Sequence, residues 1–189
     1  MKITGEKVIL RDMTEPDIDD FIRWYTTETE WRLWDGPWET IVFDPEAYRR
    51  KIFETLAQPK DEARPRRGFQ ICLRDEHETH IGWMNAYFIG GDYRHTKEKG
   101  HIAIGINIPE QWARGRGCAA EAWTLFIGYL RENGAADIYA QTWSGNQRVL
   151  GLMKKLGFEE CDRKPGVRTV RGGTYDALTF RLGPDGPLR

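Results

Sequence analysis

The stretch from His101 to Glu132 constrains the fold more than any other part of this chain. Between His101 and Ile108 side chains alternate: Ile102, Ile104, Ile106 and Ile108 share one face, and His101, Ala103, Gly105 and Asn107 the other. A period of two is a strand. Pro109 ends it, Arg114-Gly115-Arg116-Gly117 follows, and residues 118–132 read as a helix closed by Asn133-Gly134. Strand, Gly-rich loop and helix in direct succession bring unpaired N–H groups and the positive end of a helix dipole to the end of a sheet. The two glycines remove side chains where a ligand would meet the backbone. Such a turn suits a pyrophosphate, with Arg114 and Arg116 as cations for its oxygens.

The remaining pattern predicts an α/β (α+β) domain with a mixed, mostly antiparallel central sheet flanked by helices. Residues 7–13 form a first strand, and Thr14 is the expected N-cap of a helix with Asp17 three residues on. Asp44-Pro45 opens a second helix over 45–57, with Tyr48, Ile52, Phe53 and Leu56 on its apolar face. Residues 58–67 are polar loop, and strands follow at 68–74 and 80–89. A strand at 137–143, a helix at 147–156 capped by Gly157, and strands at 158–164 and 174–182 complete a single domain over residues 1–182. Residues 183–189 are expected to be a loose tail.

Composition narrows the setting. The 189 residues are 40% hydrophobic and 30% charged, with a formal net charge of −1. That balance describes an ordinary globular chain and offers no electrostatic reason to expect nucleic acid or a membrane surface. No apolar run approaches the roughly 20 residues of a membrane helix, and residues 1–6 lack the apolar stretch of a signal peptide. Cys72, Cys118 and Cys161 are odd in number and form no CxxC pair, which favours a reducing cytoplasm over a disulfide framework. His77, His80 and His95 lie in or beside turns without Glu or Cys at ligand spacing, so no metal is expected. His101 stands at the far end of its strand and is read as structural. Cys118 at a helix start is open to a lowered thiol pKa; a small loop-facing residue explains it equally.

A second cluster sharpens the reading. Asn146 opens a helix that ends in Leu156-Gly157-Phe158 and returns to strand. Arg114-Gly115-Arg116-Gly117-Cys118-Ala119 resembles the acyl-CoA loop of the GNAT superfamily of N-acetyltransferases, (Q/R)-x-x-G-x-(G/A), and Asn146 with Gly157-Phe158 resembles that family's second signature. Val8-Ile9-Leu10-Arg11 before an acidic helix, Ile81-Gly82, and Glu121-Ala122 after the loop resemble the group of ribosomal-protein alanine N-acetyltransferases. The resemblance covers residues 7–182. It implies a GNAT fold with acetyl-CoA as co-substrate and an amine as acceptor, either a cationic small molecule or a protein N-terminus. Arg114, Gly115 and the backbone of Arg116, Gly117, Cys118 and Ala119 would hold the pyrophosphate. The strand edge from Ile106 to Ile108 would meet the pantetheine arm, as would Asn146, with Met153 near the sulfur. Usual family groups are replaced: a Tyr by Met153, a Ser by Val149, and a strand Glu by Ala103.

The expected reaction is direct attack of a neutral amine on the thioester, with Glu30 and Asp35 as the candidate bases. Both lie in an acid-rich stretch, where Glu28, Glu30, Asp35 and Glu39 interleave with Trp31, Trp34 and Trp38. Acid and indole together suit a cationic acceptor. Asn85 and Tyr87 share a strand face with Trp83 and are further candidates for the cleft. Exposed Trp or Tyr would suit a homodimer. Two rival readings are a non-catalytic acyl-CoA-binding module and a dinucleotide enzyme, since Gly115-x-Gly117-x-x-Ala120 also satisfies GxGxxA. The second would need the strand to run almost directly into the first Gly, and here Pro109 to Arg114 intervenes.

Overall fold

The computed structural model describes residues 1–59, 61, 63–184 and 186. Its strands are β1 (Lys2–Thr4), β2 (Val8–Arg11), β3 (Gly68–Leu73), β4 (His80–Ile89), β5 (His95–Thr96), β6 (His101–Asn107), β7 (Ile138–Trp143), β8 (Glu159–Val170) and β9 (Gly173–Leu182). The helices are α1 (Asp17–Thr26), α2 (Pro45–Leu56), α3 (Cys118–Glu132) and α4 (Gln147–Lys155). The strands form one sheet in the order β1-β2-β3-β4-β6-β7-β9-β8, with β5 pairing β4. Neighbours are antiparallel apart from β6 and β7, which run parallel. That exception follows from the α3 crossover between them, which returns the chain in the same direction.

The alternation of β6 holds in three dimensions. Ile102, Ile104 and Ile106 pack into the main core, while Ala103 joins Ile89 and Tyr139 on the other face. α3 completes that core with buried Ala122, Trp123, Phe126, Ile127 and Leu130. Each large side chain contributes roughly 1.5–3 kcal/mol through burial. Gly82 permits the close approach of β4 to the exit of β6, because a Cβ there would stand 2.1 Å from the Asn107 carbonyl oxygen.

Several local expectations change. α1 starts at Asp17, and Thr14 does not cap it. The polarity is reversed: Asp17 accepts from the Thr14 N–H at 2.7 Å and from its hydroxyl at 3.0 Å. Asp44 caps α2 as expected, accepting from Glu46 and Ala47 at 3.0 Å each, but Phe53 points to solvent. β8 is longer than predicted because a register shift between Lys164 and Arg168 lets pairing resume beyond it. The tail is not loose where described, since the Gly183 carbonyl accepts from Arg131 at 2.7 Å. The rest of that expectation falls on residues 185 and 187–189, outside the described residues, as do residues 60 and 62 of the 58–67 loop.

Candidate active site

Parallel pairing of β6 with β7 covers Ile102↔Ile138, Ala103↔Tyr139 and Ile104↔Ala140, and then ends. Beyond it β6 stays with β4 and β7 with β9, so the two strands part like a wedge. Gly105 to Ile108 and Gln141 to Trp143 line the opening, a cleft of about 1370 Å³. The edge of β6 facing β7 leaves backbone donors and acceptors available to an extended ligand.

At one end of the wedge stands the start of α3. Gly117 is its N-cap at φ +86, with no side-chain cap. Gly115 has φ +74, and nothing lies within 4 Å of where its Cβ would be. The acid in the first turn is directed elsewhere: Glu121 accepts from the N–H groups of Lys7 at 2.8 Å and Val8 at 3.0 Å. It thereby draws the β1–β2 turn against the loop and places Lys7 Nζ 3.2 Å from the Arg116 carbonyl. Gly115, Gly117, Cys118, Ala119 and Ala120 line the cleft, with Arg148 and Lys155 of α4 opposite. An uncapped helix start ringed by cations is an anion cradle, and these residues fit the pyrophosphate of a CoA-type ligand.

Segment 29–39 crosses the cleft as a strap. A 3-10 turn over Thr29–Leu33 begins it. The Trp34 carbonyl accepts from Trp143 Nε1 at 3.0 Å and from Asn146 Nδ2 at 3.1 Å. Glu30 accepts from Trp34 Nε1 at 2.9 Å and pairs with Arg114 and Arg148. Burial raises the Glu30 carboxyl pKa, but these donors outweigh it and hold the group below its ordinary value. Asp35 differs. It is exposed at the cleft and accepts from Asn107 Nδ2 at 3.0 Å. Desolvation is the main cause that raises its carboxyl, with Glu39 adding to it, and the Asn107 hydrogen bond opposes both. Burial, with Asp35 assisting, pushes the neighbouring Tyr87 phenol up to about 12.

A buried ionic network supports this wall from behind. Asp17 is paired with Arg11, and Asp20 with Arg23. His80 sits between them, 3.0 Å from Asp20 and 3.4 Å from Asp17. These three metal-type side chains converge from α1 and β4, which linear spacing does not reveal. Their oxygens are already held by Arg11, Arg23 and Thr14. Arg23 also binds Glu110, which accepts from the indoles of Trp24 at 3.0 Å and Trp112 at 2.6 Å. That fixes the residue after Pro109, where β6 leads into the loop.

Most of the expected site comes together, with corrections. Ile106, Ile108, Arg114, Gly115, Gly117, Cys118, Ala119, Asn146 and Asp35 line the cleft. Arg114 turns back on its own loop, donating to the carbonyls of Ile108 at 2.7 Å and Pro109 at 3.0 Å; it shapes the turn instead of offering a free cation. Asn146 caps α4 through Oδ1 and ties the strap through Nδ2. Met153 is fully buried in the core, because Val149, Leu152, Met153 and Leu156 make the apolar stripe of α4. The Cys118 thiol is raised, since burial exceeds the pull of Lys7 and Arg116; the helix start does not activate it. Trp31, Trp34 and Trp38 all reach the cleft, but Trp31 is buried in the core behind its wall. Tyr87 lines it, and Asn85 is exposed beside Gly105. Glu28 is turned to Arg23. Lys7, Arg148, Lys155, Lys164 and Arg168 were not anticipated, and apart from the i, i+7 spacing of Arg148 and Lys155 on α4 no linear signal marks them.

Comparison with known proteins agrees with this fold. The acetyltransferase from Bacillus anthracis described as GNAT family shares the fold with a TM-score of 0.71 at 16% identity, covering 98% of this chain and 99% of that one. A ribosomal-protein alpha-N-acetyltransferase solved in complex with coenzyme A has a TM-score of 0.71 at 12% identity, covering 99% and 100%. A ribosomal-protein-alanine N-acetyltransferase from Brucella melitensis has a TM-score of 0.65 at 19% identity, covering 92% and 98%. No curated protein matches the sequence. Among the described residues no helix is long and apolar enough to cross a membrane. The acetyltransferase (GNAT) domain family matches residues 7–159, and with the wedge and the uncapped loop in place, the chain belongs to the GNAT acetyltransferases.

Proposed function

We propose that this protein transfers an acetyl group from acetyl-CoA to a primary amine by direct attack in a ternary complex. The observation that carries the reading is the continuity of the cleft, which joins the uncapped start of α3 to the strap bearing Asp35. Donor and acceptor then meet in one space, which supplies the proximity that a bimolecular reaction lacks. Acetyl-CoA supplies a thioester whose leaving thiol has an ordinary pKa of about 8.5, so departure needs little help from an acid.

The chain's own groups take three roles. A backbone N–H on the free edge of β6, between Gly105 and Asn107, stabilises a developing oxyanion. Asp35 takes the proton from the attacking amine, because its raised carboxyl is the better base and Asn107 orients it. Glu30 serves as a brace: two arginines and an indole hold it as a carboxylate, and a group so stabilised is a poor base. Incubating the protein with acetyl-CoA and a panel of amines, while following free thiol, tests the reading. Amine-dependent thiol release is the expected result. Tight binding of acetyl-CoA with no release for any amine would instead favour a binding module.

A further inference from the structure

Two cations on β8 face the acceptor end of the cleft without a carboxylate partner. Arg168 lies over the Trp38 ring with its guanidinium carbon 4.2 Å from the centroid. Among the described residues its buried Nε meets no hydrogen-bond acceptor, and Lys164 donates only to the neutral Asp92 carbonyl, at 3.0 Å. Both line the cleft, and β8 shifts register between them, with Gly166 in the left-handed region at φ +66. Asp162 is the acid that lines the cleft on the same strand, and among the described residues it forms no ion pair with either cation.

The buried Nε is closed to an incoming ligand, so what recommends Arg168 and Lys164 is that both cations line the cleft without a carboxylate partner among the described residues. Stacking on Trp38 fixes the guanidinium plane and leaves its edge as a fork suited to a carboxylate. On the strap, Asp35 and Trp38 are three residues apart and both line the cleft, so the acid and the cation stacked on the indole share one wall of it. Of the four acids that sequence alone credits to the acceptor, two are engaged elsewhere, Glu28 with Arg23 and Glu30 with Arg114. Asp35 and Glu39 remain in the cleft.

We infer that the acceptor is a bipolar amine, carrying a carboxylate on the same molecule as the reacting nitrogen. Arg168, assisted by Lys164, holds the carboxylate while the amine faces Asp35. A second ammonium at that place would meet like charge, so polyamines are disfavoured. The inference rests on the acetyl-transfer reading above and replaces the expectation of a dicationic acceptor.

The test follows thiol release from acetyl-CoA with matched acceptors that differ at one end. γ-Aminobutyrate, γ-aminobutyramide and putrescine form one set; alanine, alaninamide and 1,2-diaminopropane form a shorter one. In at least one set the carboxylate member should lead in kcat/KM by on the order of 10- to 100-fold, the worth of a charge-assisted hydrogen bond. Arg168→Gln should erase that lead by raising the acceptor KM, Arg168→Lys should restore part of it, and the KM for acetyl-CoA should stay the same. The inference is overturned if amide or diamine members lead in both sets, or if Arg168→Gln slows all three members equally. The acetyl-CoA-dependent rise in melting temperature is scored on the same samples. Its absence, with no thiol release from any amine, would refute acetyl transfer itself, which is a different result from a reversed acceptor order.

Discussion

The two ends of the cleft are made from different material. The phosphate end is mainly backbone: Gly115 and Gly117 at positive φ, an uncapped helix start, and the splayed edge of β6. The acceptor end is side chain drawn from separate elements, with Trp34, Asp35 and Trp38 on the strap, Tyr87 on β4, and Lys164 and Arg168 on β8. A backbone site depends on conformation, so few substitutions abolish it and those act through shape. A side-chain site depends on which groups arrive, so it can be re-specified while the fold stays the same.

The largest expected effect separates the two ends at once. Gly117→Val places a β-branched residue at φ +86 and a Cβ 3.0 Å from Lys7 Nζ, where the left-handed region costs roughly 1–2 kcal/mol. Titration calorimetry should find CoA binding weakened by at least about 100-fold, since a filled cradle loses its anion site. Normal binding would show that the loop is not the phosphate site.

Asp35→Asn comes next, and it should lower activity without lowering stability. General-base removal lowers kcat by on the order of 10²- to 10⁴-fold, with the acetyl-CoA KM unchanged. The wild-type profile of kcat/KM should fall as pH drops through a carboxyl pKa above the ordinary value, and Asp35→Asn should lose that limb. Because burial raises the folded-state pKa, ionised Asp35 disfavours the folded state above the unfolded pKa. Because the side chain is exposed at the cleft, solvent screening keeps this effect small: the neutral variant should melt at or slightly above the wild-type temperature at pH 7, and a clearly lower melting temperature would recast Asp35 as a structural acid.

Glu30→Gln acts with the other sign. Its folded pKa is depressed, so its stabilisation is present above the unfolded pKa and lost as pH falls through the folded one. The partly exposed carboxylate contributes roughly 1 kcal/mol after solvent screening. Melting curves should show the variant less stable at pH 7 and converging with wild type near pH 3, with only a few-fold rise in acceptor KM. Loss of turnover comparable to Asp35→Asn would identify Glu30 as the base. The smallest effect belongs to Arg116→Ala, an exposed cation beside the loop. It should weaken CoA binding by about 2- to 5-fold at low salt and less at high salt.

The same division decides what the sequence made legible. Alternation over β6, glycines at the turn and apolar spacing along α3 are local features, and each appears where the residues indicate. Asn146 opening α4 and Asp44 capping α2 are local in the same sense. The acceptor end was not legible because its residues meet through tertiary contacts alone. Glu30 meets Arg114 and Arg148 across more than eighty positions. Arg168 meets Trp38 across 130 positions, on a stretch of β8 that follows a register shift no composition signal announced. Arg114 was misread for a related reason: a loop arginine can serve a phosphate or its own carbonyls, and only the fold decides. Met153 followed a family position, while the stripe of α4 assigns it to the core.

The most direct test of the central claim is the melting temperature of the wild-type protein titrated with CoA, with NAD as control. Binding to the folded state should add about 2.7 kcal/mol of stability at a hundredfold excess over Kd. For a chain of this length that corresponds to a rise of roughly 5–10 °C. The account predicts such a rise with CoA and a flat response to NAD; a flat response to CoA, or a shift with NAD alone, would contradict it.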